Sequence, residues 1–204
     1  MNTNNVLRQI TYEIYKQRPV MPERMRTNYR IERANGGLLC DLWFLTIGCI
    51  HDAQGGCVMC NYGKGSGAVH WDKILNELKK IVECLPWEFE DFLLTPSGSM
   101  LDEREVSKSM REDLCGILKE IKTKRFIIES RADTISEEGL EFVKKVVPDA
   151  EKYIEIGVES SDNWILKHCI NKNTTYEMFQ EVVQKIHDAD MYVTANMGLG
   201  YSFM

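Results

Sequence analysis

Short apolar runs alternate with helical periodicity along most of the chain. Residues 38–47 (LLCDLWFLTI) are apolar almost throughout and predict a strand buried on both faces. A glycine-rich stretch from Gly48 to Gly67 predicts a long loop. Ile74, Leu75, Leu78, Ile81, Val82 and Leu85 then share one stripe, which predicts a helix over 71–85. A second strand is expected at 91–95, followed by a Pro-Ser-Gly-Ser turn, and a helix between 104 and 122 carries Val106, Met110, Leu114, Ile117, Leu118 and Ile121. Strands are also expected at 125–130, 153–160 and 191–200. Between them, Thr134 with Glu137 resembles a capping box opening a helix through Val147, and Thr174 with Glu177 a cap before Phe179, Val182, Val183 and Ile186. A short helix is expected near 162–169.

Five strands alternating with helices imply an α/β fold with parallel strands joined by right-handed crossovers, a full or partial (βα) barrel. In such sheets ligands gather at the carboxyl ends of the strands. The candidate polar residues fall there: a cysteine loop after the first expected strand, Pro96–Ser99 after the second, Glu129–Arg131 after the third, Glu159–Ser161 after the fourth, and Asn196 in the fifth.

Composition adds limits. With 204 residues, 44% apolar and 27% charged, the chain fits one domain or one domain with a small attachment. It has no apolar run long enough for a membrane span and no apolar export segment at its start, so a cytoplasmic protein is expected. Charge divides it. Residues 1–36 hold seven Lys or Arg against three Glu, a net +4, whereas the remaining 18 Lys or Arg and 28 Asp or Glu leave −10. The expected organisation is a basic N-terminal leader (1–36) on an acidic core (37–204). An acidic body makes a poor phosphate-binding groove, so contact with an anionic partner would fall to the leader.

The seven cysteines suggest no disulfide framework. Four stand alone and read as small buried hydrophobes. Three cluster as Cys49, Cys57 and Cys60 in a C-x7-C-x2-C spacing. Three thiolates on a glycine-rich loop suit a soft metal centre, and three is one short of the four that close a [4Fe–4S] cluster, which would leave one iron open for chemistry. Two other readings stay open on spacing alone: a zinc site of Cys49, His51, Cys57 and Cys60, and a Cys57–Cys60 redox pair. Gly63-Lys64-Gly65-Ser66-Gly67 looks phosphate-friendly but lacks the G-x4-GK[ST] spacing.

A strand followed by a three-cysteine loop at the top of a parallel βα array resembles the radical S-adenosylmethionine superfamily. The common spacing there is C-x3-C-x2-C; the longer spacer here resembles the elongator-catalytic-subunit and archaeosine-synthase-like branches. The run Thr46-Ile-Gly-Cys49 to Gly55-Gly56-Cys57-Val-Met-Cys60-Asn-Tyr62-Gly63 is similar to the latter. The resemblance covers roughly 38–204. It implies that Cys49, Cys57 and Cys60 hold three irons of a [4Fe–4S] cluster whose fourth iron takes the methionine moiety of S-adenosylmethionine. It implies further cofactor contacts from Met59 and Tyr62 beside the last cysteine, and from the Ser97-Gly98-Ser99 turn. Glu129 and Arg131 would touch the bound cofactor, Glu159 the ribose, Lys172 the methionine carboxylate, and Asn196 the ribose again.

The resemblance therefore implies a radical enzyme that cleaves S-adenosylmethionine to start hydrogen abstraction, with its subclass (oxidoreductase, lyase or transferase) open. It implies an electron donor such as flavodoxin or ferredoxin, and a substrate that is either tRNA or a small molecule or peptide. The family's core has six strands against the five expected here. The last unit would be outside this chain, supplied by a partner chain, or absent from a more open barrel.

Overall fold

The computed structural model describes residues 3–20, 26–34, 36–60, 62, 70–86 and 88–199. The phosphate-friendly run 63–67, Gly200 and the last four residues lie outside the described residues. In chain order the elements are α1 (Thr3–Gln17), β1 (Thr27–Ala34), β2 (Gly37–Phe44), α2 (Ile50–Ala53), α3 (Trp71–Cys84), β3 (Glu88–Pro96), α4 (Lys108–Leu118), β4 (Lys122–Glu129), α5 (Glu137–Val146), β5 (Glu151–Glu159), α6 (Asn163–Ile165), α7 (Tyr176–Asp188) and β6 (Tyr192–Met197). A π-helical turn, Leu166–Ile170, continues α6.

The strands form one sheet in the order β1-β2-β3-β4-β5-β6. The five expected strands are β2 to β6, and each pairs in parallel with the next. The sixth is β1, antiparallel to β2 with Thr27 opposite Phe44. Nothing in the sequence pattern announces β1, because it is an edge strand with charged side chains on an exposed surface, and no buried face imposes an alternation. Residues 27–34 of the basic stretch are therefore part of the sheet.

Buried positions alternate along the parallel strands: Cys40, Leu42 and Phe44 in β2, Phe126 and Ile128 in β4, Ile154 and Ile156 in β5. These meet Ile74 and Leu78 of α3, Leu114 and Leu118 of α4, Leu140 and Val143 of α5, and Val182 and Ile186 of α7 in one core. The expectation that the first predicted strand is buried on both faces is corrected: Leu39, Asp41 and Trp43 of β2 are only half-buried. Helices cover one face, and the other carries Asp41, Glu129, Glu155 and Glu159, residues that no packed apolar layer would accept.

Two predicted caps shift. Ser136, not Thr134, caps α5 by accepting from Gly139 N, and Thr175, not Thr174, caps α7 by accepting from Met178 N. Thr134 is drawn instead into hydroxyl contacts with Ser99 and Ser130. Of the four lone cysteines, Cys40 and Cys169 are buried and Cys115 is half-buried, but Cys84 is exposed at the end of α3. No described helix is long and apolar enough to cross a membrane.

Phe126 is fully buried and stacks on Phe92 with ring centroids 6.2 Å apart. Phe126→Ala is expected to lower the unfolding free energy by about 3–5 kcal/mol in urea titrations, since a cavity replaces the ring at the centre of the sheet.

Candidate functional site

The carboxyl ends of β2 to β5 open onto a cavity of about 850 Å³, counting the part continuous with solvent. Cys49, Cys57 and Cys60 line it together with Met59, Tyr62, Gly98, Glu129, Arg131, Glu159, Lys172 and Asn196. Thus eleven of the thirteen site residues that the resemblance implies meet at one place, as does His51, brought from the connections after β2, β3, β4 and β5 and from the strands β4, β5 and β6 themselves. Ser97 and Ser99 do not line it. Ser97 Oγ accepts from Thr46 N at 2.7 Å, and Ser99 Oγ accepts from Arg131 N at 3.0 Å. Both hydroxyls are spent holding the turn that carries Gly98.

The cysteine loop closes on itself. Cys49 N donates to Tyr62 O at 2.9 Å, and Cys60 N donates to Cys57 O at 3.2 Å. Between them α2 starts directly after Cys49, so the spacer that the glycine-rich pattern assigns to loop contains a helical turn. All three thiols are free. Burial pushes Cys57 up to about 12, with Cys60 and Cys49 adding to it, and Cys60 up to about 11, with Asp52 and Cys49 adding to it. Burial also raises Cys49, against the pull of Arg131. The loop alone therefore keeps its thiols protonated, and any metal that binds must displace protons.

Arg131 is the hub of the rim. Its Nη1 donates to Glu105 Oε1 at 2.6 Å and to Cys49 Sγ at 3.2 Å, and its Nη2 to Asp102 Oδ2 at 2.6 Å. Glu105 also accepts from Ile50 N at 2.8 Å and Ser99 N at 2.6 Å. Glu105 is absent from the residues that the sequence singles out; an acid between a turn and a helix has no signature, and only its burial reveals it. Gly98, at φ +152°, leaves the space this carboxylate fills, since a Cβ there would come within 2.2 Å of Glu105 Oε2. Glu129 and Arg131, an acid and a base two residues apart in the sequence, do not pair; the guanidinium is taken by Asp102, Glu105 and Asp133.

Glu129 faces Glu155 across the β4–β5 register. Burial first, then the carboxylates of Glu155 and Asp41, raise Glu129 to about 7. Asn196 Nδ2 donates to Glu155 Oε1 at 2.6 Å, and Lys172 Nζ lies 3.4 Å from Glu159 Oε1. The cavity thus offers thiols at one end and a mixed row of carboxylates, an amide and an ammonium along the strand ends. Met59 and Tyr62 are exposed at its mouth. His51 is turned to Asn171, donating from Nε2 to its carbonyl at 3.0 Å. Among the described residues, no three His, Cys, Asp or Glu side chains gather as ligands of a single ion.

The raised Glu129 fixes a pH dependence. Between its ordinary value of 4.5 and about 7, the folded chain holds a proton that the unfolded chain has released, so this residue's contribution to stability falls as pH climbs through that window. Glu129→Gln is expected to stabilise the cofactor-free chain by roughly 1–3 kcal/mol above about pH 8 and to leave it unchanged below about pH 4, read from thermal melts across pH.

No protein-family profile matches the chain. It is 29% identical over 150 residues to archaeosine synthase subunit beta of Thermococcus kodakarensis, covering 71% of this chain and 46% of that protein. It is 32% identical over 162 residues to an uncharacterised protein of Methanocaldococcus jannaschii, covering 76% of this chain and 42% of that protein. The chain therefore spans a little under half the length of these relatives. Among solved structures it is similar to the cobalamin-dependent S-adenosylmethionine radical enzyme OxsB, with a TM-score of 0.52 and 18% identity over 76% of this chain and 23% of that one. The chain is thus a sequence relative of the archaeosine synthase β subunits with the fold of a radical S-adenosylmethionine enzyme.

Proposed function

We propose that the chain is the radical-generating part of an enzyme that binds a [4Fe–4S] cluster through Cys49, Cys57 and Cys60, with S-adenosylmethionine in the adjoining cavity. The observation that carries this reading is the meeting of three free thiols with the acidic and basic residues of the strand ends in one cavity. The thiols fit such a group. They face the same space and affect one another electrostatically, yet do not converge as ligands of a single ion. Cysteine thiolates are the ligands that [4Fe–4S] clusters take, and these three on one loop would be the residues to hold one.

When bound, the pair of groups supplies one-electron cleavage of the sulfonium to methionine and a 5′-deoxyadenosyl radical, with the electron coming from a donor such as flavodoxin or ferredoxin. The protein's own residues bind and orient. Lys172 offers the ammonium for a carboxylate, and Glu159 and Asn196 offer oxygen acceptors for ribose hydroxyls. Glu129, pressed by two neighbouring acids, offers its carboxylate to a cation, whose arrival would favour its ionised form. Met59 and Tyr62, exposed at the mouth, provide an apolar edge for a base. Arg131 holds Cys49 in place through its Sγ and through Glu105.

Sequence relatives carrying the name of a β subunit support a partner chain, and archaeosine synthase as a name supports tRNA as the substrate. The −10 charge of residues 37–204 leaves the basic 1–36 stretch as the segment to meet it. Within that stretch, Arg30 and Arg33 are exposed on β1.

Purified and reconstituted without oxygen, the chain is expected to hold iron and sulfide and, with a strong reductant and S-adenosylmethionine, to release 5′-deoxyadenosine. Cys57→Ala is expected to lose both, while Cys84→Ala, exposed on α3, keeps the iron; colourless protein with one zinc per chain rejects the reading. Replacing Arg30 and Arg33 with Gln is expected to weaken tRNA binding, measured by filter binding. The slope of log affinity against log salt is expected to become shallower by about 1 for each phosphate that an arginine neutralises. An unchanged slope would turn the search toward small molecules or peptides.

A further inference from the structure

The seven residues between Cys49 and Cys57 form α2 and a turn, Gln54-Gly55-Gly56, and this spacer is gripped from two sides. On one side stands α1. Its Leu7 and Thr11 are buried and Tyr15 and Arg18 half-buried, one stripe at helical spacing continued just past its end. That stripe rests on α2 and on the π-helical turn. Arg18 Nη1 pairs with Asp52 Oδ2 at 2.7 Å, with 17% and 2% of the two side chains exposed. Arg8 Nε donates to Gln54 O at 3.0 Å. Gly55, at φ +78°, lies so close beneath the helix that a Cβ would come within 2.5 Å of the Arg8 carbonyl oxygen.

On the other side stands the end of the π-helical turn. Asn171, in the left-handed conformation, donates from Nδ2 to Gly55 O at 2.5 Å and to Gly56 O at 2.9 Å. Val58 N donates to Ile170 O at 2.9 Å, one residue past Cys57. A loop with two adjacent glycines has wide conformational freedom, and its thiols share a cavity only while something removes that freedom.

We propose that α1 is a latch on the cysteine loop, and that Arg18 is a positioning residue which acts through Asp52 to keep Cys57 and Cys60 facing the cavity. The latch is a property of the chain itself; its consequence for a cluster rests on the function proposed above. The lengthened spacer is then a docking ledge, and the basic N-terminal stretch divides into a helix that holds the loop and a strand that extends the sheet.

The test uses the full chain in two states. Without metal, Arg18→Met is expected to raise amide hydrogen exchange across residues 50–60 by at least about tenfold while amides of β3 and β4 keep their protection, as for a local opening. Arg18→Lys, which keeps the charge but not the planar fork, is expected to fall between the two. Lys16→Gln, at a solvent-exposed pair with Glu13, is expected to match the parent chain. After reconstitution with iron and sulfide, Arg18→Met is expected to give up iron to a chelator about tenfold faster than Lys16→Gln, in line with the loss of a largely buried ion pair. Unchanged exchange at 50–60 in Arg18→Met overturns the latch. Raised exchange with unaltered iron release overturns its action on the thiols. A chain that takes up no iron but shows the expected exchange supports the latch and counts against the cluster.

Discussion

A guanidinium withdrawn from water must be surrounded by acceptors, and the acceptors that Arg131 recruits hold the carboxyl rim of the sheet together. Asp102 and Glu105 come from the β3–α4 connection, Asp133 from the turn before α5, and Cys49 from the other side of the rim. Glu105 then passes the constraint to the backbone of Ile50 and Ser99. Burial alone would raise Asp102, but Arg104 and Arg131 hold it down to about 2, which favours its charged form. Networks of this kind stand or fall as units, because removing one member strands the charge of another in a medium that solvates it poorly. The rim is accordingly rigid where the strand ends meet, and the cavity inherits its shape from that rigidity.

The sheet separates stability from chemistry by the simplest device available to a strand, the alternation of side chains between two faces. One face is apolar and sealed by α3, α4, α5 and α7. The opposite face collects carboxylates in adjacent strands, an arrangement in which burial and the neighbouring negative charges raise the affinity of Glu129 for a proton. Such a face is costly as packing material and useful as a receptor for a cationic ligand.

Much of this was legible in the sequence, for reasons that differ between elements. The strands β2 to β6 announced themselves because each supplies a run of apolar residues to one core, and the motifs at their ends could be aligned with the rim once the βα order was known. Strand β1 was hidden because it buries almost nothing. The caps at Ser136 and Thr175 were misplaced by two residues and by one, since neighbouring Thr and Ser compete for the same amides and only backbone geometry chooses. Glu105 was invisible for a related reason. Its role depends on the absence of a side chain at Gly98 and on a cation 26 residues away, Arg131, and no local pattern joins the three. Of the Ser97-Gly98-Ser99 turn, Gly98 lines the cavity, while the hydroxyls of Ser97 and Ser99 are bonded into the scaffold.

The direction of β1 has a topological consequence. Because Thr27 pairs with Phe44, the strand begins beside the carboxyl end of β2 and runs back toward its start. A parallel strand at this margin would have delivered its first residue to the opposite end of the sheet, and returning to the reactive side would take a crossover of a dozen or more residues. Reversing one strand sets its first residue, Thr27, at the same rim of the sheet as the cysteine loop on which α1 rests, so the strand and the helix of the basic stretch both meet the sheet where the three thiols lie.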